Sequence, residues 1–211
     1  MTCGGVDPLL LNAWLSARSI ARGLPMPVPE HGGFRVDTNA DDEIARWVFP
    51  KAEPRLTTLA QTISEPGYLL KLCGSADELS ALLPVQWTLH HQGYFMQASA
   101  EPAARRLAVG YQIRVRRDGA VTHAQIFCDT GELAAEGYAA ETADVFIYDR
   151  IITQLRHRRK GLAQVLIANL YAARQIDGPQ VLVATEAGRV LYSALGWETV
   201  SPYSTASISR P

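Results

Sequence analysis

The sequence predicts an α+β protein with a mixed, largely antiparallel sheet flanked by helices. Three observations lead there. From residue 110 onward, four strand-like runs are separated by short turns, Asp118-Gly119 and Asp129-Thr130-Gly131 among them, which is the pattern of a meander. Apolar residues then recur at helical spacing from Leu162, followed by a strand, a short helix and a last strand, so helices and further strands are joined to the meander. Finally, 211 residues with 47% hydrophobic and 19% charged side chains suffice for one core or a core and a half, and exclude a disordered chain.

Taken in order, residues 8–22 read as a helix with Leu9, Leu10, Leu11, Trp14, Leu15 and Ile20 on a broad apolar face. Gly23 ends it, and Pro25-Met26-Pro27-Val28-Pro29 forms an extended connector. Asn39, Asp41 and Asp42 precede a predicted helix carrying Ile44, Trp47, Val48 and Phe49, stopped by Pro50 and Pro54. A second helix with Leu56, Leu59 and Ile63 closes at Pro66-Gly67. Tyr68 to Cys73 reads as a buried strand, Ser75 and Glu78 as a capping box, and Trp87 to Gln97 as mostly extended. Strands are expected at Tyr111–Arg116, Val121–Cys128, Leu133–Ala140 and Val145–Thr153. A helix from Leu162, a strand at Val181–Thr185, a helix at Glu186–Ala194 and a strand at Tyr203–Ile208 complete the chain.

The densest chemistry lies between the last meander strand and its helix, in Arg156-His157-Arg158-Arg159-Lys160-Gly161-Leu162-Ala163. Unpaired amides at a helix start, the positive end of the helix dipole and adjacent cations all favour phosphate. Gly161 stands where a backbone must approach a ligand closely. Neither a P-loop nor a dinucleotide G-x-G-x-x-G is present.

Arg158-Arg159-Lys160-Gly161-Leu162-Ala163 resembles the Gln/Arg-x-x-Gly-x-Gly/Ala signature of the GNAT acyltransferases. Leu191-Tyr192-Ser193-Ala194-Leu195-Gly196-Trp197 is similar to that family's LY-x-x-LGF ending. The likeness covers roughly residues 110–200. It implies residues 101–211 as an acetyl-CoA-binding catalytic core. Residues 1–100 would be an N-terminal helical and strand region, a diverged half of the same fold that shapes the acceptor site. It also implies acetyl-CoA as co-substrate, with pyrophosphate on Arg158, Arg159, Lys160, Gly161, Leu162 and Ala163. A backbone amide near Ile151, Ile152 or Thr153 would polarise the thioester carbonyl, and Tyr192 would protonate the leaving sulfur. The acceptor would be a small-molecule amine, and a homodimer is compatible with this picture.

Asp149 is the candidate base, because period-two alternation puts it on the strand face of Ile151 and Thr153. The Glu that serves some family members falls nearer Ile147 here, which leaves a water relay, Glu136 or His123 as alternatives. Tyr203, Trp87, His90, His91, Tyr94 and Phe95 are candidates for the acceptor pocket. The rival reading is a non-catalytic acyl-CoA-binding protein that keeps the cradle.

Other classes find little support. A net charge of −1 gives no global attraction to nucleic acid or anionic membrane, and no apolar run reaches the ~20 residues of a membrane span. The first residues lack a signal peptide's pattern. Cys3, Cys73 and Cys128 suit reduced thiols, and the five histidines show no ligand spacing, so a cytoplasmic protein without a metal is expected.

Overall fold

A computed structural model describes residues 5–98 and 100–209; Cys3 and the leader reading of the first four residues lie outside them. The N-terminal part runs α1 (Pro8–Arg22), β1 (Val28–Glu30), β2 (Gly33–Asp37), β3 (Ala45–Phe49), α2 (Pro54–Thr62), β4 (Tyr68–Leu72), α3 (Ala76–Ser80), β5 (Trp87–Leu89) and β6 (Gly93–Ala98). The C-terminal part runs β7 (Tyr111–Asp118), β8 (Val121–Cys128), β9 (Leu133–Thr142), β10 (Val145–Thr153), α4 (Leu162–Ala172), β11 (Gln180–Thr185), α5 (Glu186–Ala194) and β12 (Glu198–Ile208).

The strands form one 12-stranded sheet in the order β1-β2-β3-β4-β12-β6-β11-β10-β9-β8-β7, with β5 on β12. The β7–β10 meander is antiparallel, and β11 returns parallel to β10. The N-terminal half repeats this arrangement: β1, β2 and β3 are antiparallel neighbours, and β4 returns through α2 parallel to β3. Each half lends a strand to the other. β6 lies against β11, while β12 pairs through its second half with β4. β6, although N-terminal to residue 100, therefore sits deep in the C-terminal half of the sheet.

Residues Ala45–Phe49 correct one expectation, since they form a strand and not a helix. All five positions are buried between β2 and β4. A strand covered on both faces reads as a continuous apolar run, which periodicity cannot distinguish from a buried helix segment. Val28–Glu30, expected as connector, is a three-residue edge strand that tolerates Pro29.

Helix ends follow local chemistry. The Asp7 carboxylate accepts from the Leu9 and Leu10 amides, and Gly23 closes α1 at φ 62°. Ser75 and Glu78 form the expected capping box on α3, and Thr185 caps α5.

Two cores sandwich the C-terminal half of the sheet. Leu11, Trp14 and Leu15 of α1 pack with Phe95, Val145, Ile147, Val181 and Tyr203. On the other face Leu162, Val165, Leu166 and Leu170 of α4 pack with Ile126, Phe146, Tyr148 and Leu182. Each such side chain contributes roughly 1.5–3 kcal/mol by leaving water. The alternation along β10 thus places α1 and α4 on opposite faces, an arrangement that decides how the site below is entered.

Candidate functional site

β10 and β11 pair only at Phe146↔Gln180 and Ile147↔Val181, and beyond Ile147 they part. Each keeps its outer partner: β10 stays on β9 to Thr153, and β11 stays on β6 to Thr185. The gap opens into a cavity of ≈ 790 Å³ lined by Tyr148, Asp149, Arg150 and Ile151 on one side and by Leu182 to Gly188 on the other.

A backbone irregularity accompanies the parting. The β9–β10 register shifts between Asp149 and Ile152, and Arg150 adopts φ 53°. Such a bulge interrupts period-two alternation. Asp149 turns to α1, whereas Ile151 packs with the α4-face core, over Gly137, where a Cβ would stand 2.3 Å from its Cδ1. Asp149 and Ile151 therefore do not share a face, contrary to the simple alternation. Ile152 and Thr153 remain paired to Glu136 and Ala135 of β9.

At the start of α4 the sequence-predicted loop forms a cradle. Arg159 and Gly161 are both left-handed, at φ 64° and 75°, and no side chain caps the helix. The first helical bond is from Val165 N–H to the Gly161 carbonyl, so the Leu162, Ala163 and Gln164 amides remain for an anion. A Cβ on Gly161 would stand 2.3–2.6 Å from the Arg105 guanidinium, which donates to Gln164 at 2.7 Å. Sequence reading missed Arg105, which approaches from 56 residues upstream with no motif around it. Arg158 and Arg159 are exposed, and Lys160 donates to the Tyr111 hydroxyl at 2.6 Å. The uncapped amides and the Arg105 guanidinium beside Gly161 suit the pyrophosphate of a CoA thioester.

Tyr192 lies in the cavity wall, only 7% exposed, against Trp197 at 5.7 Å between centroids. Burial pushes its phenol pKa up, so it keeps its proton.

Asp149 is tightly engaged. It accepts from Arg22 Nε at 2.7 Å and Nη2 at 2.8 Å, and lies 3.2 Å from Arg150 Nε and 4.0 Å from Arg18 Nε. Burial alone would raise its pKa, but the Arg22 hydrogen bond and the charges of Arg18, Arg22 and Arg150 outweigh this and hold it below the usual range. Such a carboxylate has little affinity for a proton. Glu136 and His123 bond each other at 3.0 Å and do not line the cavity.

Among the acceptor-pocket candidates, His91, Tyr94 and Tyr203 line the cavity. Phe95 is core beneath Trp14, Trp87 is buried in the N-terminal half, and His90 bonds Ser207 at 2.7 Å. Arg18, Arg22 and Lys71 of the cavity wall escaped sequence reading, being isolated cations on unremarkable elements. Cys128, Glu132 and His157 bring ligand atoms within 4.8 Å of one another, which their spacing did not suggest. The Lys160 ammonium, linked to His157 through Tyr111, opposes a cation there.

No protein-family model and no curated protein matches the sequence. Solved structures match its fold. A GCN5-related N-acetyltransferase from Kribbella flavida is 14% identical, with a TM-score of 0.65 over 98% of this chain and 97% of that one. A putative GNAT-family acetyltransferase from Novosphingobium aromaticivorans is 18% identical, with a TM-score of 0.57 over 97% and 99%. A GCN5-related N-acetyltransferase from Sphaerobacter thermophilus is 14% identical, with a TM-score of 0.59 over 85% and 78%. The meander, the parted parallel pair and the uncapped helix beside it belong to a chain with the GNAT fold.

Proposed function

We propose that the protein transfers an acyl group, acetyl in the simplest case, from acyl-CoA to the primary amine of a small molecule. The observation that carries this reading is the uncapped α4 N-terminus beside the gap between β10 and β11. Acetyl-CoA, when bound, supplies an acetyl thioester. The Leu162, Ala163 and Gln164 amides and the backbone at Gly161 hold its pyrophosphate, with Arg105, Arg158 and Arg159 adding charge. The β10 edge at Ile151 to Thr153 supplies a backbone N–H toward the developing negative oxygen.

Tyr192 keeps its proton until the sulfur departs as a thiolate, then donates it. The amine attacks directly. Burial raises the Cys73 thiol pKa, and Cys128 lies outside the cavity, so among the described residues neither cysteine serves the gap as a nucleophile. With Asp149 committed to arginines, the amine loses its proton by another route. Arg18, Arg22 and Arg150 disfavour an ammonium in the cavity, which lowers the acceptor's pKa and lets the proton leave through water.

The commitment of Asp149 also favours a second reading, a donor-binding protein without turnover; release of free CoA with amines separates the two. The test of the donor site is calorimetric titration with CoA and acetyl-CoA. Micromolar binding is expected, weakened about a hundredfold (about 2.7 kcal/mol) by Gly161→Glu. Unchanged affinity in the variant overturns the cradle.

A further inference from the structure

The cavity has a charged end on the α1 face, and no residue of the donor cradle lines it. Arg18 and Arg22 of α1, Arg150 of β10 and Lys71 of β4 line it on the α1 face. One carboxylate, Asp149, faces them there; Glu186, the other acid of the lining, bonds Arg189 at 2.5 Å. Arg22 takes both oxygens of Asp149, and Arg150 donates to the Ala21 carbonyl at 2.7 Å. Arg46, behind them, is bonded to Glu43.

Arg18 and Lys71 are left over. Arg18 stacks over Trp14 at 5.6 Å, and its nearest carboxylate oxygen is 4.0 Å away, beyond hydrogen-bond range. No side-chain hydrogen bond holds it among the described residues. Lys71 has one long bond, 3.4 Å to Thr205 Oγ1, with its ammonium 5.9 Å from the Tyr203 ring centre. Burial, then Arg46 and Arg22, lowers the Arg18 pKa to about 10. Burial, then Arg46 and Arg18, lowers that of Lys71 to about 7. Arg18 and Lys71 stand half-buried among other cations, and the one carboxylate that faces them is already held by Arg22, so a bound anion relieves their mutual repulsion.

Resting on the acyl-transfer reading, we propose that this end is the anion subsite of the acceptor: the amine acetylated here carries a carboxylate or phosphate, seated between Arg18 and Lys71. The Arg18 guanidinium, 5.6 Å from the Trp14 ring, has no side-chain hydrogen bond among the described residues, and a guanidinium can take two oxygens of one anion. Because α1 and α4 cover opposite faces of the sheet, the acceptor's charge enters from one side and the donor's pyrophosphate stays on the other. The gap between β10 and β11 joins them, which leaves the amine end of the acceptor directed at the thioester.

The test uses bare anions first. Malonate and inorganic phosphate are titrated calorimetrically into the protein saturated with CoA and, separately, into Gly161→Glu, whose cradle is blocked. Saturable single-site binding is expected in both, weakened at least about tenfold by Arg18→Met and by Lys71→Met. Arg46, Arg18, Glu43, Arg22 and His90 act on Lys71 electrostatically and the Tyr203 ring lies 5.9 Å from its ammonium, and an added anion raises its pKa from about 7. Binding at pH 8 therefore takes up a proton, seen as a heat that depends on the buffer and is absent from Lys71→Met.

CoA release then identifies the source. Glycine and glutamate represent carboxylates and phosphoethanolamine represents phosphates, with ethanolamine as the control that lacks an anion. A KM at least about tenfold lower for one charged class, lost in Arg18→Met, supports the subsite. Anion binding that CoA or Gly161→Glu abolishes, or that Arg18→Met leaves unchanged, overturns it, as does ethanolamine turned over as well as the amines that carry an anion. Failure of acyl transfer itself is read separately, as no CoA binding in the first titration or no CoA release with any amine, while anion binding remains measurable.

Discussion

Tyr192 shows what one residue contributes beyond its motif. Its ring packs on Trp197 and the residue lines the cavity, so Tyr192→Phe keeps the ring and removes the hydroxyl that would supply the proton. Turnover should fall about 10–100-fold with CoA affinity within about twofold, read from steady-state kinetics and calorimetry; wild-type turnover would remove Tyr192 from the mechanism. Asp149 is the converse case. Its position on β10 was readable, but its separation from Ile151 was not, because the left-handed Arg150 breaks the alternation between them. Asp149→Asn should cost about 2 kcal/mol at pH 7 by loss of charged hydrogen bonds to Arg22. The folded-state pKa of Asp149 is depressed, so its stabilisation is present above the unfolded value of about 3.9 and is lost as pH falls through the lower folded value. Urea unfolding of wild type and variant at pH 7 and pH 3 should show the difference shrinking in acid. A difference that stays constant would mean that the ion pair with Arg22 is not what stabilises.

At the scale of elements, helix signals were the most legible. Gly23, Ser75 with Glu78, and Gly161 mark ends that local chemistry fixes, and the structure has them; it adds Asp7 as the cap of α1. Capping also separates structural ends from the functional one. Asp7→Ala should destabilise the protein by about 1 kcal/mol in thermal or urea unfolding and leave CoA affinity unchanged, since α1 meets the sheet face opposite the cradle. A loss of CoA affinity would mean that the two faces are coupled. Ala45–Phe49 was misread because a strand buried on both sides has no polar face to reveal its period. The parting of β10 from β11 has no signal in the composition of either strand; only the family resemblance implies it. Both strands have ordinary compositions, and the gap exists because each holds a different outer neighbour.

At the scale of the whole molecule, the exchange of β6 and β12 joins the halves. Neither half completes its sheet alone, because β11 needs β6 and β4 needs β12. Urea unfolding should therefore give one transition, with tryptophan fluorescence (Trp14, Trp47 and Trp87 in one half, Trp197 in the other) coinciding with far-UV circular dichroism. Two separated transitions would show that the halves fold independently. The same interlock accounts for the division between what could be read and what could not. The sequence by itself determined the meander, the crossover helix, the cradle loop and the position of Tyr192, because turns, caps and short motifs act over neighbouring residues. Only the tertiary structure decided that Arg18, Arg22, Lys71 and Arg150 meet in one cavity, that Arg105 stands over Gly161, and that Asp149 is spent on arginines. Those residues come from different elements, and no local pattern records a contact between side chains brought together by packing across a sheet.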